Sequence, residues 1–339
     1  MRLHYLDSAR ALLMTLGVPF HAAMVYVIGS GWLVDSPVDS QALTYLAGAL
    51  HTFRMHAFFF ISGFFAALLV SRKGGVPWLK DRWVRLGIPL VASILVIVPI
   101  HVILLSEPDN IRGINIAHLW FLVVLLVYCS AYALLYKIIN QQKFSLISRP
   151  FFSATLCGVY YLILRNLWHF PEFIAGFPIY DVFQYAPFFL LGSMMQSPVS
   201  QWERFTDIKF SHILAAVSSI VVVTSFKEYL DLPLAAYDFL FGASSLLGTV
   251  LVLGLCRKYL SRDNKYVLVL VDASFTVYLF HHPIVIFLGK YYLGVNWPPL
   301  VEFSIITAVA FLLSFSVHRY LVSKNKWLTF IFNGVKPKT

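Results

Sequence analysis

Long apolar runs separated by short polar connections are the main pattern along the chain. Ten runs are long enough to cross a bilayer as a helix, for which about 20 residues are needed. The pattern predicts an all-α polytopic membrane protein, a bundle of about ten transmembrane helices that forms a single integral-membrane domain over residues 1–339. The predicted spans cover residues 9–29, 47–70, 86–105, 116–136, 151–168, 180–196, 210–226, 236–256, 267–289 and 299–321.

Basic residues follow the same alternation. Of the 26 Lys and Arg residues, 20 lie at the N-terminus, in the C-terminal tail or in every second connection. Loops rich in Lys and Arg remain on the cytoplasmic side of a membrane protein. We therefore predict that both termini are cytoplasmic, in agreement with an even number of spans. The basic connections are 71–85, 137–150, 197–209 and 257–266, and the basic tail is 319–339.

Composition agrees with a membrane protein and excludes a soluble domain. Hydrophobic residues make up 59% of the chain and charged residues only 12%, whereas a soluble domain is about one quarter charged. The formal net charge of +10 is explained by the basic connections, so nucleic acid is not an expected partner. Cys129, Cys157 and Cys256 lie inside apolar runs without pairing or metal-ligand spacing, and we interpret them as core residues.

The first apolar run carries three ionisable side chains that a lipid-facing helix would avoid: Asp7, Arg10 and His21. If residues 5–26 form one continuous helix, Arg10 and His21 differ by about 20° around its axis and about 16 Å along it. They then share one face, and Asp7 can pair with Arg10. Ionisable groups at membrane depth indicate a functional site. The alternative places Asp7 and Arg10 among lipid headgroups and His21 in the core.

The second run contains another buried cation. His51 and Arg54 lie on one helical stripe, and an arginine inside a span needs an anion or a water-filled cavity. We predict that both side chains face a cavity. His56 points to another side of the same helix, and we interpret it as a core residue.

Polar residues also lie near the ends of other spans. Arg82 and Arg85 share a face at the head of the third span, where they could bind phosphates of a cytoplasmic donor or act only as topology determinants. His118 and Trp120 lie near the outer boundary of the fourth span, where an aromatic belt is expected. Trp32, in the first outer connection, could stack on a sugar ring or belong to the same belt.

The ninth run combines a polar stripe with a proline. Ser274, Tyr278 and His281 lie on one helical face, and Pro283 removes a backbone N–H, which frees a carbonyl that needs another partner. A metal site is not predicted, because the adjacent His281 and His282 do not face the same way on a helix and no glutamate-rich segment is near.

Together these residues resemble membrane-bound acyltransferase family three. The matching features, in chain order, are Asp7, Arg10 and His21, the segment FRMHAFFFISGFF, Arg82 and Arg85 ahead of Pro89, the sequence HLWF at 118–121, and the sequence SFTVYLFHHP at 274–283. The resemblance implies a bundle of about ten helices. It also implies transfer of an acyl group from cytoplasmic acyl-CoA to a sugar hydroxyl on the far side of the membrane.

The resemblance assigns roles to individual residues. It makes Arg10 and His21 essential and identifies Arg54 as the buried arginine of the second span. His21 could act as the general base for the attacking hydroxyl. Arg10 could bind CoA where it enters the site, and Arg54 could polarise the thioester carbonyl or bind a succinyl carboxylate. Direct transfer and an acyl-histidine intermediate both stay open. The predicted substrate-binding residues are Asp7, His51, Arg82, Arg85, His118, Trp120, Ser274, Tyr278 and His281.

Within that family, the segments LDSARALLMTLGVPFH, HTFRM and SFTVYLFHHP resemble enzymes that succinylate osmoregulated periplasmic glucans in Gram-negative bacteria. This similarity implies an inner-membrane location, succinyl-CoA or acetyl-CoA as co-substrate, and no permanently bound cofactor. The expected partners are a periplasmic glucan acceptor, membrane lipid and other glucan-synthesis proteins. Two alternatives stay open: an O-acetyltransferase of lipopolysaccharide or another surface polysaccharide, and a proton-coupled exporter that uses the buried Arg and His as a relay.

Overall fold

The computed structural model describes residues 4–105, 116–139, 145–169, 171–174, 176–196, 199–229, 233–262, 264–292 and 297–336. Within these ranges every regular element is helical, apart from one isolated β-bridge between Ile174 and Phe177, so the all-α prediction is confirmed there. Parts of the predicted basic connections and of the basic tail lie outside the described residues. The α-helices are α1 (His4–Thr15), α2 (Gly17–Met24), α3 (Gln41–Lys73), α4 (Gly75–Arg82), α5 (Ile88–Leu104), α6 (Trp120–Ile139), α7 (Pro150–Leu167), α8 (Ile179–Gln184), α9 (Ala186–Met194), α10 (Val199–Thr206), α11 (Phe210–Tyr229), α12 (Leu234–Tyr259), α13 (Lys265–Tyr292), α14 (Pro299–Ser316) and α15 (Lys326–Asn333).

Fewer helices than the ten predicted runs have the length and composition of a membrane span. In the described part of the chain six segments do, and a seventh is added if Ser200–Thr206 and Phe210–Ser225, bent by 60°, form one span. The six coincide with the second to fourth and the eighth to tenth predicted runs. They are Gln41–Lys73, Gly75–Leu104, Ala117–Ile139, Leu234–Tyr259, Lys265–Tyr291 and Pro299–Val322.

Prolines explain two of the divided runs. Pro19 has no N–H to donate to the carbonyl of Thr15, where α1 ends, and the regular helical pattern resumes with the amide of Phe20, which bonds to Leu16 at 3.2 Å. Pro187 is the second residue of α9 and follows Tyr185, the residue that separates α8 from α9. The expectation of one continuous helix over residues 5–26 was therefore wrong, and the projection that placed Arg10 and His21 on one face does not apply across the break.

The chain divides into two compact units, each assembled from three segments. The first consists of Met1–Leu13, Ala49–Lys80 and Val127–Lys265, and the second of Met14–Gly48, Asp81–Leu126 and Tyr266–Thr339. Neither unit is a continuous stretch of sequence.

In the first unit, α12 packs against α7 and α11, and α3 approaches α9 closely. Glycine permits that approach. A Cβ on Gly63 would lie 1.9 Å from the carbonyl oxygen of Phe189, and a Cβ on Gly192 would lie 1.9 Å from that of Phe60. Small residues at helix interfaces let backbones come together in membrane proteins, so any larger residue at either position would force the helices apart.

In the second unit, α15 packs against α5 and α14 against α2. Two π-helical turns interrupt its long helices, Trp83–Gly87 before α5 and Val317–Val322 after α14. His318 in the later turn contacts α13 through Thr276 at 3.0 Å and Asp272 at 3.1 Å. Such turns are frequent at functional sites; Arg85 lies in the first of them, between α4 and α5, and His318 in the second, at the end of α14.

Candidate active site

Five histidines from separate parts of the sequence form one cluster within the second unit. They are His21 on α2, His101 on α5, His118 on a 3₁₀ turn before α6, and His281 and His282 on α13. Their ring centroids lie 4.6 Å apart for His21 and His282, 5.3 Å for His21 and His281, and 4.4 Å for His118 and His282. Three of the predicted site residues, His21, His118 and His281, are thus brought together.

The cluster has a buried part and an accessible part. His281 is 0% exposed and His118 is 4% exposed, whereas His21 is only half-buried. The indole of Trp32 stacks on the His21 ring, with centroids 5.8 Å apart and an interplanar angle of 22°. His21 is therefore the imidazole that a substrate can reach, and an aromatic ring lies beside it.

Pro283 determines how His118 is held. In a regular helix the amide of residue 283 would donate to the carbonyl of Leu279, but proline has no N–H. His118 Nε2 lies 3.2 Å from this carbonyl oxygen and donates to it, as a carbonyl can only accept. The carbonyl that Pro283 was predicted to free therefore has its partner in His118. The Tyr278 hydroxyl donates in turn to the carbonyl oxygen of His118 at 2.6 Å.

These hydrogen bonds assign the tautomers of two imidazoles. Because Nε2 of His118 carries the proton, Nδ1 of the neutral ring has a lone pair, and this buried atom has no hydrogen-bond partner among the described residues. Nδ1 of His281 donates to the carbonyls of Val277 and Tyr278 at 3.1 and 2.8 Å, so Nε2 of His281 is an acceptor. Both acceptor nitrogens are buried in the cluster, behind the accessible His21 ring.

A metal ion fits this cluster poorly, although the spacing of three histidines is close enough. One ring nitrogen from each of His101, His118 and His282 lies within 4.8 Å of the others. The His118 and His282 rings are stacked nearly parallel, at 14°. Imidazole lone pairs lie in the ring plane, so one ion cannot lie in the planes of two stacked rings. His101 Nε2 and His282 Nδ1 instead form a hydrogen bond of 3.1 Å.

Four other predicted residues also belong to the second unit. Arg82 is half-buried at the end of α4, and Arg85 is exposed on the following π-helical turn. Gly334 packs on the backbone of Arg85, where a Cβ would lie 2.4 Å from its Cα, and its φ of 62° favours glycine. Ser274 donates within its own helix to Val271 at 3.0 Å. Trp120 is half-buried at the start of α6.

The remaining predicted residues belong to the first unit. The Arg10 guanidinium lies 5.4 Å from the centre of the Phe65 ring, and Asp7 precedes it by one turn on α1, where their pairing stays a prediction. Arg54 is buried at 7% exposure, whereas His51 is exposed and its ring lies 6.1 Å from that of Phe241. His56 is 0% exposed and bonds to the Tyr161 hydroxyl at 2.6 Å, which confirms its interpretation as a core residue.

Two members of the cluster were missed in the sequence. His282 was set aside because it adjoins His281, and His101 was not considered. His101 is the one ionisable residue between Arg85 and Glu107. An isolated histidine inside an apolar run is a signal for a functional site, and it could have drawn attention to α5.

Comparison with known proteins identifies relatives over almost the whole chain. A family model described as an acyltransferase domain matches residues 3–319. Glucans biosynthesis protein C of Escherichia coli K12 is 29% identical over 333 residues, which cover 87% of this chain and 86% of the relative. The protein of the same name from Escherichia coli O139:H28 gives the same identity and coverage. No solved structure gives a significant match.

Proposed function

The chain belongs to this acyltransferase family and is an acyl-transferring membrane enzyme, and we propose that it moves a succinyl group from cytoplasmic succinyl-CoA to glucose hydroxyls of a periplasmic glucan. The name of its relatives supports a glucan as acceptor. The proposed location is the bacterial inner membrane, with ten spans and both termini in the cytoplasm. The distribution of basic residues supports that orientation.

The observation that carries the proposal is the position of His21 at the accessible side of the histidine cluster, stacked on Trp32. An indole can cover the apolar face of a sugar ring while the hydroxyls remain free to form hydrogen bonds. A hydroxyl of such a sugar would lie beside His21.

In the proposed reaction, His21 acts as a general base. It removes the proton from a glucose hydroxyl, whose oxygen attacks the carbonyl carbon of the succinyl thioester. The bond between this carbon and the CoA sulfur breaks, and the proton on His21 passes to the departing sulfur. The products are a glucan succinyl ester and free CoA.

Donor binding is proposed for the arginines, on the basis of the family resemblance. Arg10 with Asp7, and the pair Arg82 and Arg85, would hold the CoA phosphates, for which guanidinium groups are suited. Arg54 would bind the succinyl carboxylate or polarise the thioester carbonyl. His51 and Trp120 are assigned to the substrate-binding groups on the same basis, as is Ser274.

The test is an assay with purified protein in lipid vesicles, supplied with succinyl-CoA or acetyl-CoA and a glucan. We expect free CoA to appear only when donor and glucan are both present, and the glucan to become anionic with succinyl-CoA. Release of CoA that does not depend on the glucan would contradict the glucan as the acceptor. Faster transfer from acetyl-CoA than from succinyl-CoA would contradict succinyl-CoA as the donor. His169→Ala, at an exposed histidine, is the control variant and should transfer normally.

A further inference from the structure

A cavity of about 380 Å³ lies in the first unit, and none of the residues that line it is assigned to the transfer reaction. It is formed where α7 begins and where the chain bends by 60° between α10 and α11. Both places belong to connections predicted to be cytoplasmic. The cavity is lined by Arg149, Pro150, Phe151, Phe152, Arg204, Asp207, Lys209 and His212.

The charge of the lining favours an anion. Three basic side chains, those of Arg149, Arg204 and Lys209, converge on the cavity with one carboxylate, that of Asp207. None of these four forms an ion pair with another residue in the described part of the chain. Basic residues in the loops of membrane proteins ordinarily set the orientation of the protein in the membrane. That role does not require them to line the same cavity.

The backbone adds donors to the same place. Helix α7 starts at Pro150 after the extended residue Arg149, and no side chain caps its N-terminus. The amides of Phe151 and Phe152 are in the first turn and have no acceptor within the helix, while that of Ser153 bonds to Arg149 at 3.1 Å. Exposed amides and the positive end of the helix dipole attract phosphate groups.

A buried histidine supplies a further donor with a known tautomer. His212 is only 9% exposed, and its Nδ1 accepts the backbone N–H of Lys209 at 3.1 Å. The proton of the neutral ring must therefore lie on Nε2. The ring packs on Phe151, with centroids 5.1 Å apart, so its orientation is held. No partner for Nε2 is found among the described residues.

We propose that this cavity, lined by Arg149, Arg204, Lys209 and His212, binds the phosphate group of an anionic ligand at the cytoplasmic surface. Phosphate oxygens accept charge-assisted hydrogen bonds from guanidinium, ammonium and helix N-terminal groups together. The phosphate can come from an anionic phospholipid headgroup, for which the exposed side chains of Phe151 and Phe152 provide an apolar border. It can also come from the nucleotide part of CoA.

The test is a binding measurement, which does not depend on turnover or on the identity of the acyl group. The doubly substituted pocket variant carries Arg204→Gln and Lys209→Gln. The matched control carries Lys258→Gln and Arg262→Gln, which remove the same charge from another basic connection. Native mass spectrometry measures retention of phosphatidylglycerol against phosphatidylcholine, and calorimetry measures binding of adenosine 3′,5′-bisphosphate.

We expect the native protein to bind at least one of the two phosphate ligands, and the pocket variant to bind it at least about tenfold more weakly, because two charge-assisted hydrogen bonds are removed. The control should bind within about twofold of the native protein. The ligand whose binding is lost identifies the source of the phosphate. Binding of neither ligand by the native protein, or equal losses in both variants, would overturn the proposal. His212→Phe, which keeps the ring packing, should weaken binding less than the double substitution but more than the control.

Discussion

Two histidines of this protein, His56 and His21, differ in what surrounds the imidazole. His56, in the first unit, lies among aromatic rings, with Phe188 at 4.6 Å and Tyr185 at 4.8 Å, and bonds to the Tyr161 hydroxyl. His21, in the second unit, is half-buried and lies among other imidazoles and an indole. Both histidines lie in the first two apolar runs, and both are ionisable groups at membrane depth.

The difference shows that the presence of a histidine in a span does not by itself mark function. His56 is closed off from ligands, and its hydrogen bond ties α3 to α7 within one unit. His21 combines access with neighbours whose ring nitrogens can accept hydrogen bonds. A role in proton transfer requires this combination, because a base must come within hydrogen-bond reach of the proton it removes.

The largest expected effect contrasts these two residues directly. His21→Ala should lower glucan-dependent transfer about 10²- to 10⁴-fold, since it removes the general base. His56→Phe should leave transfer per folded molecule nearly unchanged, but it removes the hydrogen bond to the Tyr161 hydroxyl and should lower the free energy of unfolding by about 0.5–1.5 kcal/mol. Transfer assays paired with thermal unfolding in detergent measure both. Loss of transfer in folded His56→Phe protein would contradict the distinction between a structural His56 and a catalytic His21.

A smaller effect should follow from Pro283→Ala. The restored amide would compete with His118 for the carbonyl of Leu279, so the imidazole would lose its fixed orientation. Loss of one such bond corresponds to about 0.5–1.5 kcal/mol, or about a two- to tenfold decrease in transfer. The control is Pro99→Ala, a second proline inside a helix of the same unit. Equal activity of the two variants would show that the His118 hydrogen bond does not matter to transfer.

Trp32→Ala should act on acceptor binding rather than on chemistry. Removing the indole beside His21 should raise KM for the glucan about two- to tenfold, on the scale of about 0.5–1.5 kcal/mol for an aromatic contact, with a smaller change in kcat. Steady-state kinetics at varied glucan concentration give both constants. Trp297→Ala, at a half-exposed tryptophan, serves as the comparison. An unchanged KM in Trp32→Ala would remove Trp32 from the acceptor site.

The smallest effect is expected from metal removal. The parallel stacking of His118 and His282 prevents one ion from binding both rings, so dialysis against a chelator should leave the transfer rate unchanged within error. Elemental analysis of the purified protein provides a second readout. Activity that falls on chelation and returns with zinc would mean that the rings rearrange around an ion.

Part of the candidate site was predictable from local signals, and the errors have physical causes. His21 stands out because titratable groups are rare in apolar runs, whereas Arg10 and Arg54, which carry the same signal, belong to the other unit. The expected geometry of the first run was wrong because Pro19 divides the helix. The sequence favoured an aromatic-belt position for His118. In the structure, the positive φ of Ala117, 42°, and the hydrogen bond to the carbonyl of Leu279, which Pro283 leaves open, place His118 inside the cluster.

By itself, the sequence determined that this is a helical membrane protein of the acyltransferase family, because apolar run length, the placement of basic residues and short motifs are local properties of the chain. Tertiary structure alone decided which polar residues meet. His101 and His282 are 181 positions apart, and His118 and Leu279 are 161 apart. Their contacts depend on how α5 and α13 pack and on which carbonyl a proline leaves open, and no local pattern encodes that packing.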